Sequence, residues 1–183
     1  TGEELVYDNI ANIIGIDKKT VMAWLSVLIA GDIVYLLDPY NEISISKRII
    51  KRPKLYFTDT GLACYLARLN SGEILGSSAF SGRFVETYII NEIKKSYVNN
   101  GIEPNFYYYR DSDMNEIDLV IIQDGKLHRI ECKSGIKFNN NAVKGFKQLD
   151  KTNYQIGFKV IICNTDTVYP LDDNVYVLPL AGI

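Results

Sequence analysis

An opening order of helix, turn, helix and hairpin is one of three observations that predict a mixed α/β protein. The second is a later order of long helix, three-strand meander, helix and strand, and the third is an Asp124-Gly125 turn between two apolar runs. The predicted architecture is α/β: an amino-terminal winged helix-turn-helix in residues 1–70, then a mixed sheet flanked by helices in residues 71–183. At 183 residues with 47% hydrophobic and 23% charged side chains, the chain can bury a sizeable core.

The elements follow in order. Glu3–Asn12 reads as an amphipathic helix with an apolar stripe of Leu5, Ile10, Ile13 and Ile14, broken by Gly15. Asp17 is a good N-cap for a second helix that ends at Gly31, with Val21, Trp24, Leu25 and Leu28 as its core stripe. Ile33–Leu37 is a strand, Asp38-Pro39-Tyr40-Asn41 a turn and Ile43–Ile45 a return strand. A helix is expected over Asp59–Leu69, a Gly- and Ser-rich loop or boundary over Asn70–Ser81, and a long helix over Gly82–Val98. Strands Phe106–Arg110, Glu116–Ile122 and Leu127–Lys133 make the meander. A polar loop at Asn139-Asn140-Asn141, a helix over Ala142–Leu149, and strands Phe158–Cys163 and Val175–Leu178 complete the chain.

Composition excludes several classes. A net charge of −2 is not that of a polycation, so any nucleic-acid contact must come from a local patch. Cys64, Cys132 and Cys163 are scattered without CxxC spacing and fit reduced thiols in a cytoplasmic protein. One histidine, His128, cannot found a histidine metal cluster. No apolar run reaches membrane-spanning length and no signal peptide opens the chain, so no membrane partner is expected. Thr1-Gly2 leads directly into helix-like sequence without an initiator Met, as in a processed chain or a fragment of a longer one.

The densest chemistry lies on the hairpin. With Asp124-Gly125 as the turn, Gln123 faces Lys126, Asp118 falls opposite Glu131, and Glu116 falls opposite Lys133. Period-two alternation puts these four side chains on one face, with Ile117, Leu119, Ile121, Ile130 and Cys132 on the other. Converging carboxylates suit Mg²⁺ or Mn²⁺. The neighbouring lysine can position or deprotonate a water, or offset charge on a phosphate. Helix spacing places Glu86 on the side of Ile90, Ile93 and Tyr97, toward the sheet, where it could add a ligand. The plain alternative is a solvated strand face with Glu116–Lys133 as a cross-strand ion pair.

Glu86, Ile117-Asp118 and Glu131-Cys132-Lys133 together resemble the PD-(D/E)xK nuclease superfamily. More closely, Lys54-Leu-Tyr-Phe-Thr-Asp-Thr-Gly-Leu62, Gly82-Arg-Phe-Val-Glu86, Tyr109-Arg110, Glu116-Ile-Asp-Leu-Val120 and Ile130-Glu-Cys-Lys133 are similar to the DUF4143 domain. That domain is the carboxy-terminal part of predicted prokaryotic AAA+ ATPases. The resemblance implies a restriction-endonuclease-like sheet and a DNA-processing module. It implies Asp118 and Glu131 as metal ligands, Lys133 as the catalytic lysine and Glu86 as a helix-borne auxiliary ligand, with Mg²⁺ or Mn²⁺ as cofactor. It further implies an ATPase module as partner, because this chain has no GxxxxGK[ST] phosphate loop. Ile117 stands where the superfamily's name has proline, which removes no ligand.

For the winged-helix segment, Lys18, Lys19, Lys47, Arg48, Lys51, Arg52 and Lys54 form a basic set suited to phosphate contacts on DNA. The same segment could instead dock on the ATPase, with the acidic face catalytically inert. A homo-oligomer is compatible with either reading. His128 reads as structural and Gln148 as a weak candidate for assisting the site. Packing accounts for Tyr107, Tyr108 and Tyr109 more simply than base stacking.

Overall fold

The computed structural model describes residues 1–42, 51–136, 140–172 and 174–183. The expected return strand Ile43–Ile45, the Lys47–Arg48 pair and Asn139 lie outside the described residues.

The amino-terminal segment has α1 (Tyr7–Ile14) and α2 (Lys18–Ala30). Gly15, at φ 79°, ends α1 in the left-handed conformation, and the Asp17 carboxylate caps α2 by accepting the Lys19 and Thr20 N–H groups. A three-stranded antiparallel sheet follows, with β1 (Glu3–Glu4), β2 (Val34–Leu37) and β3 (Lys54–Phe57) in the order β1-β3-β2. Glu3 and Glu4 therefore extend a sheet and do not start the first helix. Trp24 is also corrected: it is 56% exposed, as are Ile13, Val27 and Leu28 to varying degrees, while Val21 is buried. Among the described residues, helix α2 packs mainly against α1 and β2.

Asp59 caps α3 (Thr60–Leu66), and the expected loop contains a short helix α4 (Gly72–Ser77) capped by Ser71. The long helix α5 spans Ser81–Asn99. The large mixed sheet contains β4 (Phe106–Arg110), β5 (Glu116–Gln123), β6 (Lys126–Cys132), β7 (Gln155–Cys163), β8 (Tyr169–Asp172) and β9 (Val175–Pro179). Its order is β4-β5-β6-β7-β9-β8, parallel at β6–β7 and β7–β9 and antiparallel elsewhere. No helix among the described residues is long and apolar enough to cross a membrane.

The two faces of this sheet are covered differently. A 3-10 helical segment, Asn140–Leu149, lays Phe146 and Leu149 on Ile117, Val120, Leu127 and Ile161. On the other face Ile89 and Ile90 of α5 meet Leu119, Ile121, Ile130 and Cys132, joined there by Leu37 and Tyr56 of the small sheet. The small sheet is tied to the edge strand β4: Tyr108 N–H donates to Asp38 O at 3.0 Å, and Tyr40 N–H donates to Tyr108 O at 2.6 Å.

The hairpin register is the expected one from Gln123↔Lys126 to Leu119↔Ile130. Asp124 and Gly125 both take positive φ, 51° and 74°, as a two-residue hairpin turn requires. The alternation breaks beyond it. Tyr107 faces Val120 but Tyr109 faces Ile117, so β5 carries one extra residue there. Ile117 consequently packs with Val120 on the 3-10 side, not with Leu119 and Ile121 as strict alternation predicts. The extra residue falls between Ile117 and Val120, beside Asp118, one of the expected site residues.

Gly145 brings the 3-10 segment onto that same bulge. A methyl group at 145 would stand 2.0 Å from the Glu116 carbonyl oxygen and 2.9 Å from its carbon. Gly145→Ala is expected to destabilise the fold by about 1–3 kcal/mol through overpacking against backbone, measured by urea unfolding. A stability equal to wild type would show that the segment can lift away at no cost.

Candidate functional site

Helix α5, strand β3 and the two strands of the β5–β6 hairpin meet at the open end of that hairpin. Helix α5 supplies Glu86, β5 supplies Glu116 and Asp118, β6 and the residue after it supply Glu131 and Lys133, and β3 supplies Lys54. They line a cleft of about 610 Å³ whose rim adds Glu3, Glu4, Arg83 and Arg110. On the rim Arg83 pairs with Glu3 at 2.5 Å and Arg110 with Glu4 at 2.9 Å.

Inside, each carboxylate has a defined setting. Asp118, 8% exposed, accepts the Cys132 N–H on Oδ2 at 2.8 Å, so its carboxylate takes a backbone donor of the neighbouring strand. Glu131, 7% exposed, receives the Lys133 ammonium on Oε1 at 2.6 Å, while its Oε2 is buried without a hydrogen-bond partner among the described residues. Glu86 Oε1 accepts from Lys54 Nζ at 3.0 Å and from the Tyr56 hydroxyl at 2.5 Å. Lys54 Nζ also touches Glu116 Oε1 at 2.6 Å.

Burial and crowding shift the proton affinities. Burial first, then the Asp118 charge, pushes the Glu131 carboxyl up to about 8 against the pull of Lys133. The same two causes push Glu86 up to about 7 against Lys54 and Tyr56. Asp118 is raised by burial, against Lys54 and the Cys132 N–H. Burial works against the charge of both lysines, yet the carboxylates outweigh it and both are raised: Glu86, Asp118 and Glu116 around Lys54, and Glu131 then Asp118 around Lys133.

Glu86, Asp118, Glu131 and Lys133 are thus brought together in one cleft. One participant, Lys54, was not legible as such, and Glu116, expected opposite Lys133 on the hairpin face, pairs with Lys54 instead. Lys54 is a cleft residue and not part of a basic surface. The available signal was the two-residue spacing of Lys54 and Tyr56, both buried on one face of β3. Of the basic set, Lys18 pairs with Asp8 at 2.9 Å, Lys19 and Lys51 are exposed, and Arg52 lies 4.0 Å from Glu4. These residues are not in the cleft, and neither is Gln148. His128 Nδ1 accepts the Phe158 N–H at 3.1 Å, a structural contact, and Tyr108 and Tyr109 are fully buried.

Among the described residues, no three His, Cys, Asp or Glu side chains are close enough to hold a metal ion by themselves. The donor chemistry nevertheless fits Mg²⁺ or Mn²⁺, hard ions that bind through one or two carboxylates and retain waters or take up phosphate oxygens. The unpartnered Glu131 Oε2, buried beside Asp118, is the donor such an ion would satisfy.

The fold and cleft define a mixed α/β protein whose acidic, lysine-compensated pocket is closed by a strand from its amino-terminal segment. The chain belongs to the DUF4143 family, a domain of unknown function whose family model matches residues 81–183. A second domain of unknown function, DUF8612, matches residues 1–73. Similar curated proteins include the uncharacterized protein Rv2008c of Mycobacterium tuberculosis and the uncharacterized protein Mb2031c of Mycobacterium bovis. Each is 22% identical over 170 residues, which cover 93% of this chain. The chain spans about 37% of the length of these relatives. No solved structure matches.

Proposed function

We propose that this chain is a DNA-processing module, a PD-(D/E)xK-like metal-dependent phosphodiester hydrolase in residues 71–183 joined to a nucleic-acid-binding winged helix in residues 1–70. In this reading it is the carboxy-terminal part of a cytoplasmic AAA+-type ATPase. The observation that carries the proposal is the buried, unpartnered Glu131 Oε2 in one cleft with Asp118, Lys133 and Glu86.

Asp118 and Glu131 would hold Mg²⁺ or Mn²⁺, which when bound polarises a phosphoryl oxygen and lowers the pKa of a coordinated water. Cys132 N–H fixes the Asp118 carboxylate, and Lys133 fixes Glu131. Lys133 is held protonated by its carboxylate neighbours, so it orients the attacking water and offsets phosphate charge and does not take a proton. Its side chain is one-third exposed, which gives a phosphate access to it. Glu86 shapes the opposite wall from α5.

A second reading, a catalytically inert docking or substrate-recognition domain of the ATPase, is favoured by the existing ion pairs. Lys54 and Lys133 already compensate Glu86, Glu116 and one oxygen of Glu131. The deciding experiment incubates the chain with single- and double-stranded DNA in Mn²⁺ or Mg²⁺, beside chelator controls and the Asp118→Asn variant. Metal-dependent cleavage lost in the variant supports the hydrolase. Absence of cleavage by the wild type favours the docking domain.

If Lys51 and Arg52 contact phosphate, replacing both by Ala is expected to reduce the salt slope of DNA binding by about two, measured by fluorescence anisotropy across a salt series. An unchanged slope would remove that segment from the interface.

A further inference from the structure

Lys54 is the most deeply buried cation of the cleft, with a side chain 4% exposed, and it comes from a strand remote in sequence from α5 and β5. Its single ammonium touches Glu86 Oε1 at 3.0 Å and Glu116 Oε1 at 2.6 Å, the place a cation would take to bridge them. The Tyr56 hydroxyl adds a second donor to the same Glu86 oxygen. Unlike the doubly held Glu86 Oε1, the Glu131 oxygen beside Asp118 is buried and has no partner. The cleft therefore has one side already filled by a positive charge and one side with a spare donor.

We propose that Lys54 is a resident cation, occupying the position between Glu86 and Glu116 so that an added divalent ion is confined to the Asp118–Glu131 side. The place assigned to the added ion rests on the hydrolase reading above; the role of Lys54 does not. The amino-terminal segment then decides how many ions the carboxylates take. Removing the ammonium leaves two neighbouring carboxylates with no cation between them, a vacant position that Mn²⁺ fills.

The test is Mn²⁺ binding, counted by electron paramagnetic resonance on the whole chain, with cleavage read separately. Lys54→Met is expected to bind one more Mn²⁺ per chain than wild type, and Lys54→Arg the wild-type number. The added ion should vanish in the double variant Lys54→Met/Glu86→Gln. A Lys54→Met chain that binds the wild-type number or fewer overturns the proposal. If Lys54→Met unfolds in chelator, recovery of its far-ultraviolet dichroism in Mn²⁺ supports the proposal, and failure to recover overturns it. A wild type that binds no Mn²⁺ would remove the Asp118–Glu131 metal site, while a gain in Lys54→Met would still establish the resident cation.

Discussion

On the proposed hydrolase reading, Asp118→Asn is expected to reduce Mn²⁺-dependent cleavage below detection while leaving the fold intact. The separation of the two effects follows from the local contacts. The Asn carbonyl can still accept the Cys132 N–H that Asp118 Oδ2 accepts at 2.8 Å, so the join between β5 and β6 survives. What is lost is a charged oxygen donor beside Glu131. Asp118 also raises the proton affinity of both Glu86 and Glu131, so its neutralisation relieves crowding among buried negative charges. The melting temperature should therefore stay within a few degrees of wild type in chelator. Mn²⁺ should raise it in the wild type and not in the variant, because a ligand stabilises only the state that binds it. Measuring cleavage beside the Mn²⁺-dependent melting shift checks both parts. Retained cleavage in a variant that no longer responds to Mn²⁺ would place the chemistry elsewhere.

The second large effect is a loss of stability as pH rises. Glu131 and Glu86 are pushed up to about 8 and about 7 from an ordinary 4.5, so the folded chain retains protons that the unfolded chain has released. Their stabilising contribution is complete below the ordinary value and is lost as pH climbs through the folded values. Both shifts have the same sign and share the Asp118 charge as a cause, so they act together on the marginal stability of a domain. His128, lowered by burial, acts in the opposite direction over part of this range. The carboxyls prevail because their shifts are larger. Melting followed by circular dichroism in chelator should therefore give a lower midpoint at pH 8.5 than at pH 5.5. Mn²⁺ should restore more stability at pH 8.5, where it no longer competes with bound protons. A midpoint that rises between those pH values would mean that the carboxyls are not buried and crowded as described.

How far these expectations could be read from the residues differs from element to element. The hairpin was legible because Asp124-Gly125 determines its own turn, and the turn sets the register as far as Leu119↔Ile130. The Asp17 cap and the body of α5 are likewise local, set by hydrogen bonds within a few residues. The small helix α4 and the strand β8 were not legible. Each is short, and its stability comes from neighbours and not from its own pattern. Trp24 shows the same limit in reverse: its helical stripe looked like a core face, but among the described residues α1 and β2 are the main elements packed against α2, and Trp24 is exposed.

For this protein the sequence alone determined the mixed α/β class and the hairpin, because turn chemistry and side-chain periodicity act over short distances; it also named Glu86, Asp118, Glu131 and Lys133, which line one cleft. The tertiary structure alone decided the β5 bulge beside Asp118, the approach of Gly145 to Glu116 and the insertion of Lys54 between Glu86 and Glu116. Each of these depends on the docking of segments distant in the chain. A buried lysine becomes favourable only where several carboxylates outweigh the cost of removing its charge from water, and no short stretch of this chain contains that balance.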